Sequence, residues 1–140
     1  ILEFFPNAKF LHTFRDYNDS IIGIYQSMIS ELSWCHEIKS IVNYIKIYKK
    51  VIDFYKKKYP NKILDVNLKM LTNDKETEAK KIFSFCNIQW DKKILNFYQN
   101  KNLFSKTASF NQIRKNIEKY NLNQYKPYYH LIDTNNNIKE

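Results

Sequence analysis

The run from Pro6 to Leu32, PNAKFLHTFRDYNDSIIGIYQSMISEL, limits the possible folds of this chain more than any other stretch. Lys9 to Phe14 is apolar, with the aromatic and β-branched residues Phe10, Leu11, Thr13 and Phe14, and is bounded by Pro6-Asn7 and Arg15-Asp16. Such a run predicts a buried strand. From Asp19 the period changes. Ile21, Tyr25, Met28, Ile29 and Leu32 recur at spacings of three and four, which places them on one helix face. Asn18 or Asp19 can cap that helix, because a short side-chain oxygen accepts from an unpaired first-turn amide. Arg15 then stands where a strand ends and a helix begins. Two readings are open there. A guanidinium beside a helix N-terminus suits a phosphate or sulfate. An Arg15–Asp16 or Arg15–Asp19 ion pair would instead only brace the turn.

One domain fits 140 residues. The opening ILEFF starts mid-pattern without Met, so a longer parent polypeptide is expected. The net charge of +9 favours an anionic partner. The excess is almost all lysine, however, and the arginines are Arg15 and Arg114 alone, which argues against specific nucleic-acid binding. Cys35 and Cys86 lie far apart amid apolar neighbours and read as reduced core thiols, hence a cytoplasmic location. No apolar run approaches the roughly 18 residues of a membrane span.

Further along, Ser33 to His36 reads as a connection. Glu37 to Lys58 carries an apolar stripe of Ile38, Ile41, Val42, Ile45, Tyr48, Ile52 and Tyr55, with lysines mostly opposite, and predicts the longest helix. Pro60-Asn61 ends it. Lys62 to Leu68 predicts a second strand. Asn73, with Glu76 three residues on, predicts the cap of a helix burying Ala79, Ile82, Phe83 and Cys86 and ending at Asn87. Asp91 caps a short helix with Ile94, Leu95 and Tyr98. Phe110, Ile113, Ile117 and Tyr120 mark a last amphipathic stretch, and an aromatic segment broken by Pro127 follows. Strands separated by helices predict an α/β chain with a parallel sheet. Two strands are too few for a complete sheet, which residues before Ile1 or a partner would finish.

Several chemistries have no residues to carry them. His12, His36 and His130 are isolated and form no metal site with the cysteines. A single glycine, Gly23, rules out Gly-rich phosphate loops within this sequence. No serine elbow is present. His12 lies inside the first strand and reads as a hydrogen-bonded core residue rather than a base. Ser109 and Arg114 bracket a loop-to-helix entry and could supply a second anion contact facing Arg15.

Taken together, four segments resemble the C-terminal half of a sulfotransferase domain, of the bacterial tetratricopeptide-linked or tyrosylprotein type. FPNAKFLHTFRDYNDSIIGIY resembles the family's FPxAKxIxxxRDPRDxxLSxY. The run LSWCHEIKSIVNYIKIYKKVIDFYKKKYPNKILDV resembles its long helix and next strand. LTNDKETEAKKIFSFCNIQWD is similar to LVxDPExExxxLxxFxGLxWD, and TASFNQIRKNIEKYNLNQYKPYYHL to TASxxQVRxPIxxxSxGRWxxYxxxL. The resemblance covers Phe5 to about Leu131. It implies a P-loop-like parallel sheet with flanking helices, incomplete in this helix-rich chain, with residues 1–131 as the domain part and 132–140 as a polar tail.

It further implies transfer of a sulfuryl group from 3′-phosphoadenosine 5′-phosphosulfate, as co-substrate and without a metal, to an acceptor hydroxyl or amine. Arg15 matches the arginine that holds the donor's 3′-phosphate, and Thr107, Ser109, Gln112 and Arg114 match the closing loop. Departures are equally specific. The partner serine falls on Gly23, with Ser20 one turn away; the nucleotide-contacting Tyr-Glu pair falls on Leu68-Lys69; the Arg-Trp pair falls on Gln124-Tyr125. The family's PKSGT-like loop and its catalytic base would come from the upstream part of the same polypeptide. The alternatives are a degenerate, non-catalytic binding domain on the same fold and a basic module for nucleic acid.

Overall fold

The computed structural model describes residues 1–100 and 114–132. Strand β1 (Phe10–Phe14) and strand β2 (Ile63–Asn67) pair in parallel, from Phe10 opposite Ile63 to Phe14 opposite Asn67. Parallel strands need a long crossover. Here it is α1 (Tyr17–Ser27), a 3₁₀ turn (Ser33–His36) and α2 (Ile38–Lys58). After β2 come α3 (Leu68–Asn73), α4 (Lys75–Cys86) and the 3₁₀ segments Lys92–Gln99 and Lys126–Leu131. The chain is thus mixed α/β, a two-stranded parallel sheet flanked by helices.

The core lies between α1 and α2. Ile21 and Ile22 meet Ile41, Val42 and Ile45, and Ile132 closes the cluster from the C-terminal side. Ile132, expected at the head of a polar tail, is 4 % exposed. Burying such side chains contributes about 1.5–3 kcal/mol each, which fixes α1 against α2 and so fixes the end of β1 between them.

Four local expectations need correction. Helix α1 starts earlier, because Asp16 rather than Asn18 or Asp19 is its cap: Asp16 Oδ1 accepts from the Asp19 amide at 3.0 Å. It also ends at Ser27, where Met28 turns left-handed (φ 44°, ψ 47°), so Met28, Ile29 and Leu32 leave the helix face and are exposed. Strand β2 stops at Asn67, whose side chain accepts from the Lys69 amide at 2.9 Å and opens α3; Leu68 is helical. The next cap is Asp74, accepting from the Thr77 amide at 3.2 Å, one residue after Asn73. The stop at Asn87 is as expected, with φ 56° and ψ 37°. Phe110 and Ile113 lie outside the described residues, and the stretch from Lys115 to Tyr120 is not helical.

Candidate anion site at the end of β1

Arg15 follows the last residue of β1, and α1 begins two residues later. Its side chain takes neither of the ion pairs that would merely brace the turn. Asp16 is engaged as the helix cap, and Asp19 is buried and bonded to two tyrosines. Among the described residues no carboxylate comes within ion-pair distance of Arg15. Its Cζ lies instead 4.9 Å from the centre of the Tyr125 ring, and Nη1 donates to the Tyr125 hydroxyl at 3.3 Å. Stacking on an aromatic face orients a guanidinium while leaving its charge uncompensated.

Gly23 makes that pose possible. A Cβ built there would overlap Arg15 Nη2 and would lie 3.5 Å from the Tyr125 hydroxyl. The guanidinium therefore occupies the space that a serine at this position would fill. On its other side Arg15 borders a cavity of about 220 Å³, whose wall includes Thr13, Ser20, Tyr44 and Tyr48. Ser20 Oγ donates to the Asp16 carbonyl at 3.0 Å, which fixes its place on the first turn of α1. A cation beside a helix N-terminus at one opening can hold an oxyanion.

Tyr125 reaches Arg15 because the C-terminal segment is tied to α1 by a carboxylate. Asp19 is 3 % exposed and accepts from the hydroxyls of Tyr120 and Tyr129. Burial, reinforced by the bond to Asp19, pushes both phenols well above the usual tyrosine range. The Tyr120 amide also donates to Thr72 Oγ1 of α3 at 3.1 Å. Pro127 in the first turn of the 3₁₀ segment then carries Tyr129 and Ile132 onto α1.

A second polar network crosses the sheet beside the cavity. His12 is 8 % exposed, with Nδ1 at 2.7 Å from Asp65 Oδ1 on β2 and Nε2 at 2.6 Å from the Tyr48 hydroxyl on α2. Lys56 donates to the other Asp65 oxygen at 2.7 Å. Burial alone would raise the Asp65 carboxyl, but the bonds from Lys56 and His12 outweigh it and hold the group below the usual range. Burial pushes the Tyr48 phenol up. His12 is thus the hydrogen-bonded core histidine expected from its place in the strand.

Of the residues singled out in the sequence, Arg15 and Ser20 share the cavity wall. Arg114 is exposed at the start of the C-terminal described segment and is not part of that wall. Ser109, with Thr107 and Gln112, lies outside the described residues. Leu68, at the position of the family's tyrosine, is exposed at the start of α3. Asp19 takes neither of the roles expected of it, cap or ion-pair partner of Arg15, but anchors the C-terminal tyrosines, and no specific sequence signal marks the stacking of Tyr125 on Arg15 or the place of Tyr48 in the wall. The tyrosine-rich tail was the available signal, but no spacing rule joins residues about a hundred positions apart.

The profile of the sulfotransferase family matches residues 1–92, well over half of the chain. The chain belongs to the sulfotransferase family. The chain is also 26% identical over 132 residues to a protein of Aquifex aeolicus (strain VF5) described as uncharacterized. The match covers 91% of the chain but 17% of that relative, so the chain spans a small part of a much longer protein's length. The family implies a sulfate donor and an acceptor. Among the described residues, no cluster of His, Cys, Asp and Glu could hold a metal, and no helix is long and apolar enough to cross a membrane.

Proposed function

We propose that this chain is the C-terminal, 3′-phosphate-binding portion of a sulfotransferase domain of the tetratricopeptide-linked or tyrosylprotein type. Its donor is 3′-phosphoadenosine 5′-phosphosulfate and its acceptor a hydroxyl or amine. The observation that carries this reading is Arg15: a stacked guanidinium without a carboxylate partner among the described residues, bordering a cavity at the carboxyl end of a parallel strand. Ligands of open α/β sheets bind at that end. Arg15 grips the 3′-phosphate, Ser20 stands in for the serine that Gly23 replaces, and Ser109 and Arg114 join from the closing loop.

Transfer proceeds in line. The acceptor heteroatom forms a new bond to sulfur as the bond from sulfur to the 5′-phosphate oxygen breaks, and the acceptor's proton passes to a base. As in phosphoryl transfer, the protein chiefly positions the donor and balances charge on the equatorial and leaving oxygens. The P-loop-like 5′-phosphosulfate loop and the base are supplied by the upstream part of the polypeptide. The departures at Gly23, Leu68 and Gln124 favour a second reading, a non-catalytic domain that retains only part of the nucleotide site.

Calorimetry of the full-length protein with 3′,5′-adenosine bisphosphate tests the proposal. Binding is expected, and Arg15→Ala should weaken it by about thirtyfold or more, the loss of a charge-assisted pair of about 2 kcal/mol. An affinity untouched by Arg15→Ala would remove the assignment of the site. Binding without turnover across an acceptor panel would leave the non-catalytic reading.

A further inference from the structure

The donor site as proposed does not use the polar network of buried His12 with Asp65, Lys56 and Tyr48, yet Tyr48 belongs both to that network and to the wall of the Arg15 cavity. In the neutral imidazole one nitrogen donates and the other accepts. Asp65 can only accept, so Nδ1 of His12 carries the hydrogen, and Nε2 accepts the hydrogen of the Tyr48 hydroxyl. Tyr48 then has only lone pairs left to offer elsewhere, which repel an anion. Protonation of His12 reverses this. Nε2–H now donates to the Tyr48 oxygen, and the phenolic hydrogen is released to turn toward a new acceptor.

Resting on the reading of this cavity as an oxyanion site, we propose that Tyr48 is a direct ligand of the bound phosphate and that His12 is its positioning residue, so that binding takes up a proton at His12. The surrounding charges are compatible with this exchange. Asp65 of β2 faces Nδ1 and stabilises an imidazolium, while Lys56 of α2 pairs with its far oxygen and limits that stabilisation. Tyr17 and Tyr44, uncharged near neutral pH, share the cavity wall with Tyr48. Glu3 and Lys58 line the groove on the other side of His12, and Phe14 stacks on its ring with centroids 5.6 Å apart. Imidazole is the side chain suited to change charge between about pH 5 and 8. A phosphate monoester, with a second pKa near 6, is mostly doubly charged over the upper part of that range.

The test is calorimetric titration of the full-length protein with 3′,5′-adenosine bisphosphate, at about pH 7, in buffers of different ionisation enthalpy, and again between about pH 6.5 and 8. The wild type should take up protons and lose about three- to tenfold in affinity over that interval. Both Tyr48→Phe, which removes only the hydroxyl, and His12→Gln should flatten the pH dependence and abolish the difference in proton uptake. An unchanged proton uptake in Tyr48→Phe, with Arg15→Ala still weakening the ligand, overturns this inference and leaves the anion site standing. Failure of the bisphosphate to depend on Arg15 removes the site and this inference with it.

Discussion

Helices α1 and α4 are built with the same local chemistry but buried very differently. Each is capped by an aspartate, Asp16 or Asp74, and each ends at a left-handed residue, Met28 or Asn87. Yet α1 buries Ile21 and Ile22 completely, whereas the buried residue of α4 is Glu78, and its Ile82 and Phe83 remain half-buried. The difference is tertiary. Helix α1 is covered by α2 on one flank and by Tyr125, Tyr129 and Ile132 on another. Helix α4 packs on β2, α3 and the 92–99 segment. Caps and stops decide where a helix forms, and distant segments decide how much it is held. Arg15 lies beside the helix that is held.

Core truncation is the sharpest way to break this comparison. Ile22→Ala removes a fully buried side chain from a packed cluster and should cost about 3–4 kcal/mol, whereas Phe83→Ala on α4 should cost about half as much because its ring already meets solvent. Chemical denaturation of the two variants measures both. Equal losses would show that α4 is as deeply held as α1.

The next effect concerns the tie over α1. Asp19→Ala leaves the Tyr120 and Tyr129 hydroxyls without their acceptor and should cost about 2–3 kcal/mol. It should also weaken bisphosphate binding, since the Tyr125 that orients Arg15 lies on the same segment. The same contact gives an alkaline signature. Both phenols are raised above the ordinary tyrosine value of 10.0, so their contribution is complete below that pH and is lost as pH rises beyond it, when the unfolded chain ionises first. A pH series of melting curves should show this loss in the wild type and less of it in Tyr120→Phe.

What the sequence disclosed follows the same division. The two strand runs, the long helix and the exit at Asn87 are legible because each depends on neighbours within a few residues, whereas the parallel pairing of the strands, 53 positions apart, is inferred from the helices between them. The capping sites were misplaced by one to three residues where acidic and amide side chains crowd together, as at Asp16, Asn18 and Asp19 or at Asn73 and Asp74. Short-range spacing also over-extended α1 to Leu32: Met28, Ile29 and Leu32 keep a helical period, but the backbone has already turned left-handed at Met28. Arg15 could be marked by its place between strand and helix. Its contact with Tyr125 could not, because a pairing across 110 positions is set by how the C-terminal segment folds back.

The smallest expected change in stability lies at Gly23, where two effects oppose. Alanine in a helix interior is favoured over glycine by about 1 kcal/mol. Its Cβ, however, would fall where Arg15 Nη2 sits, and the guanidinium would have to leave its place on Tyr125. The displaced atoms are the far end of a flexible side chain, so the net change should stay within about 1 kcal/mol. Binding should respond more than folding. Gly23→Ala is expected to shift bisphosphate affinity several-fold with little change in melting temperature, and a larger serine side chain should act in the same direction. If Gly23→Ala instead destabilised the protein as much as Ile22→Ala, the pose of Arg15 would be a structural keystone of α1 rather than a replaceable arrangement of the anion site.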